Sequence, residues 1–228
     1  MFTTSDTLET IAKRSLVNCH VLGMNSVVVS VSVSDNGKLQ RIFCAEKHHM
    51  LWFNKPNMFG HFPMSLSLGF HGHHSKLTFE PIFGEWDNIT IKKDVDGVEA
   101  AKAAEWELNY SPIKLSGFKW NSPILTGGKG FFTEVEKDVV FCQPEIMKMM
   151  PGQPLTMEGS LMHTVSVTRG EEAAWMVNEQ KTYAEHDGLC WSNVPLDKQF
   201  SCDKRFYQPM SVEKCKEILD RCGVSYAE

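Results

Sequence analysis

The segment from Asn25 to Glu46 constrains the fold more than any other. Val27, Val29, Val31 and Val33 fall at every second position. Asp35-Asn36-Gly37 follows, and then Leu39-Gln40-Arg41-Ile42-Phe43. Strict alternation puts every second side chain on one face of an extended chain. An Asn-Gly pair supplies the positive φ angles of a tight hairpin turn. A β-hairpin is therefore expected here, and a lone hairpin needs further strands to shelter its apolar face.

The rest of the chain supplies them. Between Leu51 and Ile91, aromatic and β-forming residues are interrupted by Pro56, Pro63, Gly69 and Gly84, which reads as several short strands. Val95 to Leu108 changes to an Ala- and Glu-rich helical composition. Beyond it, Pro112, Gly117, Pro123, Gly127, Gly128 and Gly130 again punctuate short apolar runs, and the β pattern continues to about Val177. Helices are expected near both ends. The first spans Ser5 to Val17, with Leu8, Ile11, Ala12 and Leu16 on one stripe and Ser5 or Asp6 as cap. The second spans Ser211 to Cys222, with Ser211 as N-cap and Gly223 as stop. The expected fold class is all-β, a sandwich or barrel with a few peripheral helices, in a single domain of residues 1–228. Its core covers about 25–180, and 181–228 form a C-terminal extension.

Composition narrows the function classes. Net charge is −5, and no run of Lys or Arg exceeds two residues, so the basic footprint of a nucleic-acid binder is missing. No stretch approaches the roughly 18 consecutive apolar residues of a membrane span, and no basic segment leads into an apolar run at the N-terminus. Seven cysteines, an odd number with no C-x-x-C pair, fit free thiols in a reducing compartment. The expectation is a cytoplasmic protein without membrane or nucleic-acid partners.

The chemistry concentrates in histidine. Of nine histidines, three fall in His71-Gly72-His73-His74. On a strand, His71 and His73 point one way and His74 the other, so the first two can present imidazole nitrogens to one ion. Two ligands rarely suffice. His163 is the candidate third, because in Leu161-Met162-His163-Thr164-Val165-Ser166-Val167 it shares a face with Leu161, Val165 and Val167. Read alone, a histidine so placed is more often a hydrogen-bonded core residue.

These two segments together resemble the two motifs of the cupin superfamily. In the first, His71-x-His73 is followed by Gly84 at the spacing of the motif's shorter form. In the second, Gly152 and His163 stand at the motif's separation, with Gly159 one position from the motif glycine. Ser65, Glu158 and Val167 replace a glycine, a proline and an asparagine, and Leu77 occupies the place of the glutamate ligand. Glu80 is the nearby acid, but its strand parity points it away from the histidines. The resemblance covers about residues 25 to 180. It implies a jelly-roll β-sandwich holding a divalent metal, Fe(II), Zn(II), Ni(II) or Mn(II), on His71, His73 and His163, with His74 and Glu80 as additional candidates. It also implies a small-molecule substrate inside the barrel and a homodimer. A three-histidine ferrous centre resembles the superfamily's thiol-dioxygenase branch, so oxygenase chemistry is expected ahead of isomerase or hydrolase chemistry. The alternative is a non-catalytic cupin that senses or sequesters a small molecule, which Leu77 favours. A structural or assembly protein is a third class.

Arg41, Phe79 and Trp175 are the candidate substrate-binding residues, each with core packing or a solvated surface charge as its ordinary role. Arg169 and Lys76 are further cations near the strands. His48-His49, His186 and the Gly127-Gly128-Lys129-Gly130 loop are read as solvated or turn residues, since the loop lacks phosphate-loop spacing. A two-histidine phosphoesterase needs two H-x-[ST] motifs, and only His73-His74-Ser75 fits.

Overall fold

The computed structural model describes residues 2–19, 23–31, 39–46, 69–73, 75–105, 112–121, 131–167, 171–179, 189–192 and 207–227. The Asn36-Gly37 turn, His48, His49, Trp52, Ser65, His74, the 127–130 loop, Arg169 and His186 lie outside the described residues.

In chain order the elements are β1 (Phe2–Thr7), α1 (Leu8–Lys13), β2 (Leu16–Val17), β3 (Met24–Val31), β4 (Leu39–Ala45), β5 (Phe70–His71), β6 (Leu77–Phe83), β7 (Trp86–Ile91) and α2 (Val98–Glu105). They continue with β8 (Ile113–Asn121), β9 (Phe131–Phe141), β10 (Glu145–Met149), β11 (Leu155–Met157), β12 (Met162–Ser166), β13 (Ala173–Glu179), β14 (Leu189–Ser192), β15 (Gln208–Pro209), α3 (Val212–Arg221) and β16 (Val224–Ala227). Two seven-stranded sheets dominate. The first, in the order β10-β7-β12-β5-β14-β8-β9, carries the histidines. The second, β11-β6-β13-β4-β3-β2-β15, faces it. Every pairing in both sheets is antiparallel.

Strand parity sorts the side chains into three cores. Between the sheets lie Met24, Phe43, Ala45, Leu77, Phe79, Trp175 and Val177 of the facing sheet, against Trp86 and Met149 of the histidine sheet. The alternate residues of the facing sheet, Val27, Val29, Ile42, Cys44, Ala174 and Met176, pack outward under α1 and α3. The outer face of the histidine sheet gathers Phe70, Ile89, Ile91, Ile113, Leu115, Phe141 and Trp191. Each large side chain buried this way contributes roughly 1.5–3 kcal/mol.

The expected hairpin is present as β3 and β4, paired from Met24↔Ala45 to Val31↔Leu39. The C-terminal helix also matches its reading. Ser211 Oγ accepts from the Lys214 N–H at 3.2 Å, and Gly223 takes φ 65° just past the end.

The N-terminal helix is shorter than the 5–17 span read from sequence. It covers 8–13 and is capped by Thr7, whose hydroxyl accepts from Thr10 N–H, and not by Ser5 or Asp6. Residues 2–7 instead form β1, parallel to β16 at the other end of the chain. The ladder partner lies too far along the sequence for a local periodicity to register. Ser15 ends the helix: its hydroxyl donates to Ile11 O at 2.7 Å and accepts from Val28 N–H at 3.0 Å, tying α1 to the sheet.

The sheet core also runs past residue 180. β14, at 189–192, sits between β5 and β8 in the histidine sheet, so a strand assigned by sequence to the extension is part of the sandwich. The helix in the middle of the chain forms over 98–105, with Asp94 Oδ2 accepting from the Glu99 and Ala100 N–H groups. Among the described residues, no helix is long and apolar enough to cross a membrane.

Candidate metal centre

His163 enters from β12 near the middle of its sheet. Antiparallel pairing sets it directly opposite His71 of β5, and His71 is opposite Cys190 of β14. On the other side His163 pairs with Thr90 of β7. Directly opposed residues share a face, so Thr90, His163, His71 and Cys190 form one transverse row on the inner side of the sheet.

His73 arrives differently. The sequence reading placed it on a strand with His71, but β5 ends at His71. His73 is instead held by its own backbone N–H, which donates to Gly159 O at 2.7 Å. Gly159 must be glycine for this. A Cβ there would run into the carbonyl oxygens of His73 and Ser75, because the turn before β12 passes directly against the chain that carries His73. The crossing swings the imidazole back toward the row.

The three rings converge. Their centroids lie 4.9 Å (His71–His73), 5.0 Å (His71–His163) and 5.3 Å (His73–His163) apart. One donor nitrogen from each lies within 4.8 Å of the others. Among the described residues the converging donors are these three imidazoles, with no carboxylate oxygen or thiol sulfur in the group.

The tautomers follow from the hydrogen bonds. His163 Nδ1 lies 2.9 Å from Asn88 Oδ1, in a buried position. An amide oxygen only accepts, so Nδ1 carries the proton and the Nε2 lone pair faces the centre. His71 is oriented in the same sense by a longer contact, Nδ1 to Gly69 O at 3.4 Å. Burial pushes the His71 pKa below its ordinary value, which favours the neutral, ligand-competent imidazole. His73 Nε2 and His163 Nε2 are 3.1 Å apart. Two nitrogens at that separation, each about 2.05 Å from one ion, would subtend roughly 100° there, between octahedral and tetrahedral geometry. The three imidazoles are a donor set that could hold a divalent cation.

The remaining candidates divide. The Phe79 ring meets the His163 ring at 5.4 Å, edge on, and so borders the centre. Trp175 does not: it stacks on Trp86 at 4.5 Å and lies near Phe43 at 6.1 Å, within the core between the sheets. Arg41 shares the inner face with Phe43, over whose ring its guanidinium sits at 5.8 Å. Leu77 is fully buried between the sheets. Glu80 is turned outward, as its parity predicts, and accepts from Asn178 Nδ2 at 2.7 Å. Lys76 pairs with Glu158 at the surface.

Sequence reasoning missed Asn88 and Cys190. Asn88 left a faint signal, since asparagine is depleted in strands yet stands in Trp86-Asp87-Asn88-Ile89-Thr90-Ile91. At 3% exposed, it needs the partner it finds in His163.

No family model and no curated protein matches the chain. Similar solved structures include hydroxypropylphosphonic acid epoxidase from S. wedmorenis, with a TM-score of 0.37 and 9% identity over 77% of this chain; the chain spans 58% of that protein's length. Hydroquinone 1,2-dioxygenase PnpCD, in complex with Cd2+ and 4-hydroxybenzonitrile, gives a TM-score of 0.33 and 10% identity over 78% of this chain and 72% of its own. A Ralstonia eutropha JMP134 protein of unknown function with a cupin-like fold gives 0.34 and 12%, covering 99% and 91% of the two chains. Two apposed antiparallel sheets with helices at the periphery make the described part of the chain an all-β sandwich.

Proposed function

We propose that the protein is a metal-dependent enzyme that acts on a small polar molecule between its sheets, with His71, His73 and His163 as the metal ligands. The observation that carries this reading is the convergence of three imidazoles from two distant chain segments, with a buried asparagine fixing the tautomer of one. A purely structural core has no need of such a group. Drawing three imidazoles together, one buried and two partly buried, sacrifices part of their hydration.

When bound, a divalent cation supplies Lewis-acid polarisation of a substrate oxygen, or a dioxygen-binding position if it is ferrous. The chain's own contribution is arrangement. Asn88 orients His163, Gly159 sets His73, and Phe79 covers one side of the ring cluster and limits water there. Three neutral ligands without a carboxylate would leave positions open to substrate or dioxygen, and the resemblance to three-histidine ferrous centres is what puts oxygenase chemistry ahead of isomerase or hydrolase chemistry.

Elemental analysis of untagged protein tests the reading. About one equivalent of a divalent metal is expected in the parent and little in His163→Ala, and the loss of affinity should exceed the roughly 10–100-fold that removal of an outer-shell partner causes. Protein loaded anaerobically with Fe(II) should give the high-spin iron–nitrosyl signal with nitric oxide, reporting an open position. A parent that binds no metal yet still takes up a small molecule would establish the sensing or sequestering reading instead.

A further inference from the structure

Strand β7 divides its side chains between two environments. Ile89 and Ile91 pack into the outer core of the histidine sheet, so Asn88 and Thr90 face inward. The register agrees, for Thr90 is directly opposite His163 on one side and Glu145 of β10 on the other. The two inward residues are used differently. Asn88 is buried, and its amide oxygen is taken up by His163. Thr90 is only half-buried, and its hydroxyl has no hydrogen-bond partner among the described residues. A donor therefore stands beside the imidazoles with nothing in the chain to receive it.

Exposure along the row shows from which side water reaches that donor. It falls from Glu145, which is exposed, through half-buried Thr90 to buried His163. Beyond His71 the row stays closed, since Cys190 and its neighbour Phe118 on β8 are both buried. The row thus opens at the β10 edge. Thr90 occupies the last step before the imidazoles, one strand spacing, or about 4.8 Å, from His163. Of the two residues that flank the His163–His71 pair, Thr90 carries a hydroxyl and Cys190 a thiol, which is much the weaker donor. Branching at Cβ limits the rotamers of Thr90 and so keeps its hydroxyl within the row.

We propose that Thr90 is a further residue of the site, whose hydroxyl donates a hydrogen bond to an acceptor atom of a small ligand seated at the three imidazoles and so holds that ligand from the β10 side. The assignment deepens the metal-enzyme reading and rests on it, because the ion held by the imidazoles is what draws the ligand to this point. It sets a preference for ligands that present an oxygen or nitrogen lone pair there. It acts on the ligand, and the ion's own affinity is left to the histidines and Asn88.

Azide titration of the Co(II)-loaded full-length protein, followed in the Co(II) absorption bands, tests the assignment. The parent should bind azide saturably, and Thr90→Val, close in shape but without the hydroxyl, should weaken that binding about tenfold, as expected for a lost hydrogen bond to a charged ligand. Thr90→Ser, which restores the hydroxyl, should recover most of the affinity. Co(II) affinity, measured by chelator competition, should be the same in all three. Thr90→Ala takes the place of the valine variant if that one does not fold. The proposal is overturned if azide binds as tightly without the hydroxyl, if serine does not recover the affinity, or if the valine variant loses Co(II) itself. A parent that takes up no Co(II) removes the metal reading and this assignment with it, whereas Co(II) binding with azide affinity indifferent to position 90 overturns the assignment alone.

Discussion

The inner faces of the two sheets solve different problems. Across the histidine sheet the row Thr90, His163, His71, Cys190 is polar and donor-rich, and hydrogen bonds fix its orientation. Across the facing sheet, Leu77, Phe79, Val177, Trp175 and Phe43 form an apolar and aromatic wall fixed by packing, with Arg41 at its edge. On the proposed reading, one face would hold the metal and the other would keep water from it. Substitutions on the two faces should therefore separate: the wall should move stability, and the histidine row should move metal affinity.

The sharpest test of that separation is Trp175→Ala. Trp175 is 2% exposed and stacks on Trp86, the wall's main bridge to the opposite sheet. Its removal should lower stability by about 3–5 kcal/mol, read from urea denaturation of the metal-free protein. The fraction that remains folded should keep the parent's metal stoichiometry. A variant that retained stability but lost metal would show that the two faces are not independent.

Asn88→Ala should act the other way. It removes the acceptor that fixes the His163 tautomer, and outer-shell losses of this kind weaken metal binding by roughly 10–100-fold. Competition with a chromophoric chelator measures the change. Asn88→Asp, which still presents an oxygen to Nδ1–H, should recover most of the affinity, whereas Asn88→Leu should not. Equal affinity in the alanine variant would mean that packing alone orients the ring.

How far each face was legible in the sequence follows the same division. Alternation exposed the two faces of the facing sheet, because Val27 and Val29 on its outer side and Leu77 and Phe79 on the wall each obey a period that a single segment displays. The pairing of His71 with His73 was legible for the same reason, although the true device at His73 is a backbone hydrogen bond to Gly159 and not a strand. Placing His163 opposite His71 required a resemblance between two distant segments, since cross-strand register over 92 residues leaves no local trace. Asn88, Cys190 and the β1–β16 pair were hidden for that reason too: each gains its role only from a partner far along the chain.

Cys190 gives the smallest expected effect and the finest test of the row. It is the immediate cross-strand neighbour of His71 and is buried, so a sequence reader shown only the register would nominate it as a fourth ligand. The side-chain geometry says otherwise, for its sulfur is not among the converging donor atoms. Co(II)-loaded parent should therefore lack a thiolate-to-metal charge-transfer band, and Cys190→Ala should leave the Co(II) spectrum unchanged, with a stability loss of only about 1 kcal/mol. A charge-transfer band that vanishes in the variant would show that the sulfur turns inward when the ion binds. The row would then contribute three ligands by register, and the centre would prefer softer ions than three imidazoles alone.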